Sequence, residues 1–381
     1  MRLRPHSRQR AVISAVFTFL LAMSFALSGK TSTTAAPKVN PAIDGVLALF
    51  QRKSVVVLCD HHGMAQEEDY YSALVGDPRF ADTVGNLVVE FGGESSQGII
   101  DGYVAGEDVP VNELRRVWTE TVGWVPGPTE IGYINVFAAV RAANLHLPRE
   151  RRIKVWLGEP KIDWSKINSF ADLQPYFAQR DDNYVRIIRD EILAKKKKAL
   201  LIIGTGHIFG NAAALPMKVA EAHLEAPATV VAFTGYVEPE CNGKFAARAK
   251  DWPVPATITP LEGGSLKSVV ELPGCTFVRA DRVARIKATP PAKFPPGVSS
   301  SEEMLRRFRS MVSGEDADAI LYLGPPDALT ESPYDPAIYL DSEYFKEEDR
   351  RLRCCLPPEL HGNLDLDSLL NANTVAPHKL Q

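Results

Sequence analysis

The sequence predicts an α/β protein built on a parallel-rich central sheet flanked by helices. Three observations carry this. Apolar runs of strand length alternate with helical patterns, the order expected when parallel strands are joined by crossover helices. Several of those runs are apolar at nearly every position, as in strands buried on both faces. Ionisable residues then follow successive strands at their carboxyl-terminal ends, where open parallel sheets collect functional groups.

The elements follow in order. Ser54 to Asp60 (SVVVLCD) is the first strand, and Gln66 to Val75 reads as a helix that opens with Glu67, Glu68 and Asp69. Asn86 to Phe91 (NLVVEF) is the second strand. Residues 95–150 read as a helical insertion broken at Gly123, Pro126, Gly127 and Pro128. Arg152 to Leu157 is the third strand, and a helix is expected from about Asp181 to Lys197, ending in the run Lys195–Lys198. Lysines at a helix carboxyl end favour its dipole and ordinarily form a solvated face. Ala199 to Gly204 (ALLIIG) and Ala228 to Phe233 (ATVVAF) are the fourth and fifth strands. Residues 236–298 are rich in Pro and Gly, with 288–297 read as a surface connection. Ser300 and Glu303 fit a capping box that opens a helix to about Val312. Asp318 to Leu323 (DAILYL) is a last strand, and residues 336–381 form a polar tail.

Residues 1–36 stand apart. They hold Arg2, Arg4, Arg8, Arg10 and Lys30 and no acid, so the overall net charge of -4 becomes -9 once those five cations are set aside. The apolar run Ala11 to Leu27 follows the basic start, and small residues follow that. This is the pattern of a secretory signal peptide. It predicts a secreted or periplasmic protein whose α/β domain spans residues 37–335, with an uncleaved amino-terminal anchor as the only membrane association. Without a basic excess, nucleic acid is a poor partner; a small-molecule substrate is the expected one.

Export permits disulfides. Of the five cysteines, Cys241 and Cys275 form a candidate bridge, Cys354 and Cys355 are adjacent and bridge only with strain, and Cys59 reads as a buried thiol.

The strand ends hold the chemistry. They read Cys59-Asp60-His61-His62-Gly63, Glu90-Phe91-Gly92-Gly93-Glu94, Gly158-Glu159-Pro160 and Gly204-Thr205-Gly206-His207. A parallel sheet brings Asp60, His62, Glu90, Glu159 and His207 to one rim. A lone His is ordinarily structural; placement between a buried strand and a glycine singles out His62 and His207. A carboxylate beside an imidazole orients it and raises its basicity, so Asp60 and His62 suit proton abstraction from water. A second His serves as acid or oxyanion stabiliser. His62, Glu90 and His207 are equally a candidate set for a divalent metal ion. His61 points away from its neighbours if the strand pattern continues, and with Glu159 and Arg180 it is a secondary candidate. No GxSxG elbow, phosphate-binding GxxxxGK[ST] loop or HExxH motif is present.

These motifs resemble the erythromycin-esterase-like, ChaN-like and Tiki superfamily over about residues 43–330. Leu58-Cys59-Asp60-His61-His62-Gly63 resembles its LGExHG element, with Cys59 in place of Gly and Asp60 in place of Glu. Glu90 resembles its strand-end Glu, Arg180-Asp181 its RD helix, Gly204-Thr205-Gly206-His207 its second His motif, and Asp318-Ala319-Ile320-Leu321-Tyr322 its late strand. The resemblance implies ester or lactone hydrolysis, with His62 as the reactive His, Asp60 and Glu90 as its acids and His207 as the second His. Its other branches imply metal-dependent proteolysis, or a haem- or iron-binding protein without catalysis.

Overall fold

A computed structural model describes residues 37–123, 130–209, 214–236, 238–260, 266–275 and 317–355, with 290, 299–301, 303 and 304. Residues 1–36, read above as a signal peptide, the expected 288–297 connection apart from residue 290, nearly all of the helix expected over 300–312, and residues 356–381 lie outside the described residues.

Eight strands form one mixed sheet: β1 (Lys38–Pro41), β2 (Val55–Asp60), β3 (Asn86–Gly93), β4 (Lys154–Glu159), β5 (Ala199–Gly204), β6 (Ala228–Ala232), β7 (Ala256–Thr259) and β8 (Ala319–Tyr322). Their spatial order is β1-β7-β8-β6-β2-β5-β3-β4. The six strands from β8 to β4 are mutually parallel; β7 runs antiparallel to β8, and β1 antiparallel to β7. The α/β class and the parallel core are as the alternation predicted. The two antiparallel strands were not: each has four residues, and prolines at 41, 253, 255 and 260 disguise them, as is common at sheet edges.

Valine- and isoleucine-rich β2 and β5 are buried at every position. Alternate side chains face opposite sides of a strand, and each face packs a separate helical layer. Val56, Leu58, Leu87, Val89, Leu200 and Ile202 meet one layer, which includes helices Ala65–Gly76, Gln97–Ala105, Val111–Thr119 and Ile131–Leu145. Val57, Cys59, Val88, Leu201 and Ile203 meet the other, which includes helix Phe170–Ile187 and helix Pro239–Arg248.

The 95–150 segment is helical as expected, over Gln97–Ala105, Val111–Thr119 and Ile131–Leu145, and its Ile100, Val104, Leu114, Val117, Phe137 and Val140 belong to the main core. Two expectations are corrected. The helix expected from Asp181 begins at Phe170, capped by the Ser169 side chain, which accepts from the Asp172 N–H. The domain does not end at 335. Helix Ser342–Cys355 buries Glu348, Arg351, Leu352 and Cys355, and Cys355 joins Trp164, Ile167 and Leu173 in a third apolar cluster.

Cys241 is bridged to Cys275, the adjacent Cys354 and Cys355 are also bonded, and Cys59 is free and buried. Burial, then the nearby Glu67, pushes the Cys59 thiol far above its ordinary value, so it is an inert core group. Among the described residues no helix is long and apolar enough to cross a membrane.

Candidate active site

The site forms at the carboxyl ends of β2, β5, β3 and β4, four adjacent strands. Strand alternation sorts its parts. Asp60 follows Val56 and Leu58 in phase, so it turns toward the layer holding Tyr71 and Tyr133. There Asp60 Oδ1 accepts from Tyr71 OH at 2.9 Å and Oδ2 from Tyr133 OH at 2.7 Å. His62 Nδ1 stands 2.7 Å from the same Oδ2. The carboxylate accepts a hydrogen bond from Nδ1–H, which leaves Nε2 as the basic nitrogen. Tyr133 OH also accepts from the Gly63 N–H at 3.2 Å, tying the loop to Asp60. Gly63 makes the turn at a φ of 80°, which only glycine adopts without strain.

The His62 ring is crowded by protein yet keeps 41% of its side chain exposed. Burial alone would lower its pKa; Asp60, by charge and hydrogen bond, and then Glu90 and Glu130 outweigh it and raise the pKa above 6.5. Its Nε2 edge faces Gly204. A Cβ on Gly204 would lie 2.7 Å from His62 Nε2 and 3.1 Å from Glu90 Oε2, so imidazole and carboxylate share the space that glycine leaves open.

Glu90 lies in the opposite phase, with Val88, and meets the other layer. Arg180 donates to its Oε1, the Gly204 N–H donates to Oε2 at 2.5 Å, and His207 Nε2 lies 3.3 Å from Oε1. Burial works to raise the Glu90 pKa, but Arg180, His207 and His62 hold it far below the carboxylate range. β3 itself runs on to Gly93, with a register shift after Val89, so Glu90 lies inside the strand and does not close it as expected.

His207 stands between two carboxylates, Glu90 and Asp181, whose Oδ1 is 2.5 Å from Nδ1. Burial opposes the charge; Asp181 and Glu90 override it and push the pKa up to about 9, leaving an imidazolium at neutral pH. Glu159 is fully buried and saturated. Its Oε1 accepts from Arg180 Nε at 2.7 Å and Tyr184 OH at 2.5 Å, and its Oε2 from the N–H groups of Val122 and Gly123. It aims Arg180 at Glu90 and so is a positioning residue.

His61 is not part of the site. It turns toward Glu67, whose carboxylate accepts from the His61 N–H at 2.8 Å and lies 3.3 Å from Nδ1. The metal set does not fit either. Among the described residues no three His, Cys, Asp or Glu gather as ligands. The Glu90 oxygens already accept from Arg180 and Gly204, and a divalent ion would stand against that guanidinium.

No family model matches the chain. No curated protein matches it either. Among solved structures it is similar to that of the type III effector HopBA1, at 15% identity and a TM-score of 0.36, covering 54% of this chain and 89% of that chain. A likeness that slight carries no argument, and the functional reading rests on the site itself.

Sequence reasoning missed Tyr71, Tyr133 and Tyr184, which sit inside helices and read as core aromatics; only their bonds to Asp60 and Glu159 show their part. It passed over Asp181, although the Arg180-Asp181 pair was in view. Glu130 was also missed; its Oε1 would lie 3.4 Å from a Gly63 Cβ.

Proposed function

We propose that the protein is an exported hydrolase that activates water against an ester, lactone or related bond. The observation that carries this is the Asp60–His62 pair, 2.7 Å apart, with the Nε2 edge turned to the gap shared with Glu90. A water in that gap gives a proton to His62 Nε2, and its oxygen attacks the carbonyl carbon. The Glu90 carboxylate orients the water. Asp60 stabilises the imidazolium that forms, and the two tyrosines fix Asp60 in place. Arg180 and the charged His207 place positive charge on the rim, where it favours a developing oxyanion. On collapse, the leaving oxygen takes a proton from His62, or from His207 acting as acid; the products are an acid and an alcohol.

The amino-terminal basic and apolar pattern supports export, and the strand-end motifs support the superfamily resemblance. The alternative, a haem or metal binder, finds less support. The Glu90 carboxylate already serves Arg180, His207 and the Gly204 N–H, which leaves it poorly placed to bind a metal or haem iron. The test is turnover of a panel of activated esters and lactones by the full chain and by His62→Ala, with and without chelator. Turnover that chelator spares and His62→Ala abolishes supports the proposal. A folded chain that turns over none of them, while binding haem or iron stoichiometrically, overturns it.

A further inference from the structure

The lysine run that the sequence assigned to a solvated helix end is part of a second, separate feature. Lys196, Lys197 and Lys198 lead into β5, and Arg151, Arg152 and Lys154 lead into β4. Because β3, β4 and β5 are parallel neighbours, the two basic stretches meet at the amino ends of the strands. A six-residue strand spans about 17 Å, so this lies across the sheet from His62.

The meeting point is concave. A pocket of about 380 Å³ is lined by these six cations and by only two acids, Asp82 and Glu150. Arg151 is neutralised by Asp82 through two hydrogen bonds, and Lys154 pairs with Asp101 outside the lining. The other four cations have no ion-pair partner among the described residues, and only Glu150 in the lining offsets their charge. Arg152 donates to the carbonyls of Leu147 and Ala105, and among the described residues no carboxylate pairs with Lys196, Lys197 or Lys198. The walls are built: buried Asn86 donates to the Lys198 carbonyl at 2.9 Å and accepts from Trp156 Nε1 at 3.2 Å, which pins the lysine segment to β3 and β4. A helix carboxyl end is answered by about half a charge; with Glu150 counted against the four remaining cations, a net of three positive charges around one cleft exceeds that need.

We infer that this cleft is a binding site for a phosphate-bearing polyanion. A net excess of three cations in a small volume calls for a ligand with several charges, and phosphate groups supply both charge and acceptor oxygens. The volume suits a small molecule or a headgroup.

The test titrates tripolyphosphate into the full chain by calorimetry at low salt, and sediments the chain with phosphatidylglycerol vesicles. Both are repeated with the K196Q/K197Q/K198Q variant, which leaves the amino-terminal apolar run intact. Three exposed contacts of this kind sum to about a hundredfold in water. The variant should therefore bind at least about tenfold more weakly. Tripolyphosphate binding lost in the variant identifies a free anion as the ligand. Vesicle binding lost in the variant, without tripolyphosphate binding, identifies the phosphate of a lipid headgroup. Absence of both, or a variant that loses neither, overturns the site.

Discussion

Gly204→Ala puts the geometry of the site under the sharpest test. Gly204 closes β5 in ordinary strand conformation, so alanine brings no backbone strain. Its Cβ, however, would stand 2.7 Å from His62 Nε2 and 2.8 Å from Cε1, where ordinary contact begins at 3.4 Å. The ring must retreat by about 0.7 Å, the difference between those distances, because Glu90 crowds the same point. A displacement near 1 Å at a reacting group costs on the order of a hundredfold, so kcat should fall about 30- to 100-fold. The overlap is with the movable end of a side chain, so the loss of stability should be only about 1 kcal/mol. Gly206 is the internal control. Nothing lies within 4 Å of its Cβ position, and it sits in helix Thr205–Phe209, where alanine gains up to about 1 kcal/mol. Gly206→Ala should keep full activity. The assay is kcat and KM on the best substrate of the panel, with a thermal melt of each variant. A folded Gly204→Ala protein with wild-type kcat, or an equal loss in Gly206→Ala, would refute the placement of His62 at the reacting centre.

The remaining predictions concern charge and covalent links. Activity should be bell-shaped in pH: it rises as His62 deprotonates, through a limb above 6.5, and falls as His207 deprotonates near 9. Asp181→Asn removes a partner that raises the His207 pKa, so the alkaline limb should move to lower pH; an unmoved limb assigns it elsewhere. Because the folded pKa of His207 is raised, its contribution to stability is complete below 6.5 and lost as pH rises through about 9, by about 3 kcal/mol; denaturant titrations at those two pH values read the difference. Arg180→Met leaves buried Glu90 and Glu159 without their shared cation and should destabilise by about 3 to 5 kcal/mol. Paired Cys241→Ser and Cys275→Ser substitutions open a link across 34 residues, for a loss of about 4 kcal/mol in the chain-entropy account; an unchanged melt contradicts it.

Much of the fold was legible because buried parallel strands leave apolar runs that little else mimics. β2, β3, β4, β5, β6 and β8 all lie within or beside runs visible in the sequence. β1 and β7 were not, since a four-residue edge strand among prolines has no periodicity to read. Helix Ser342–Cys355 hid for a related reason: its buried stripe includes Glu348 and Arg351, which hydropathy counts as surface. In the site, Asp60, His62, Glu90 and His207 were legible because each breaks or follows an apolar strand. The division of labour was not. That Glu159 aims Arg180, that two tyrosines hold Asp60, and that His61 serves Glu67 depend on hydrogen bonds between residues far apart in the chain or turned to the other face.

The central claim is that His62, aligned by Asp60, is the base that activates water. The most direct measurement is kcat/KM of the full chain and of His62→Ala on the same activated ester, with circular dichroism to establish the fold. The account predicts a loss of on the order of 10² to 10⁴ in the variant with its fold intact. Turnover by His62→Ala equal to that of the unmodified chain would contradict it.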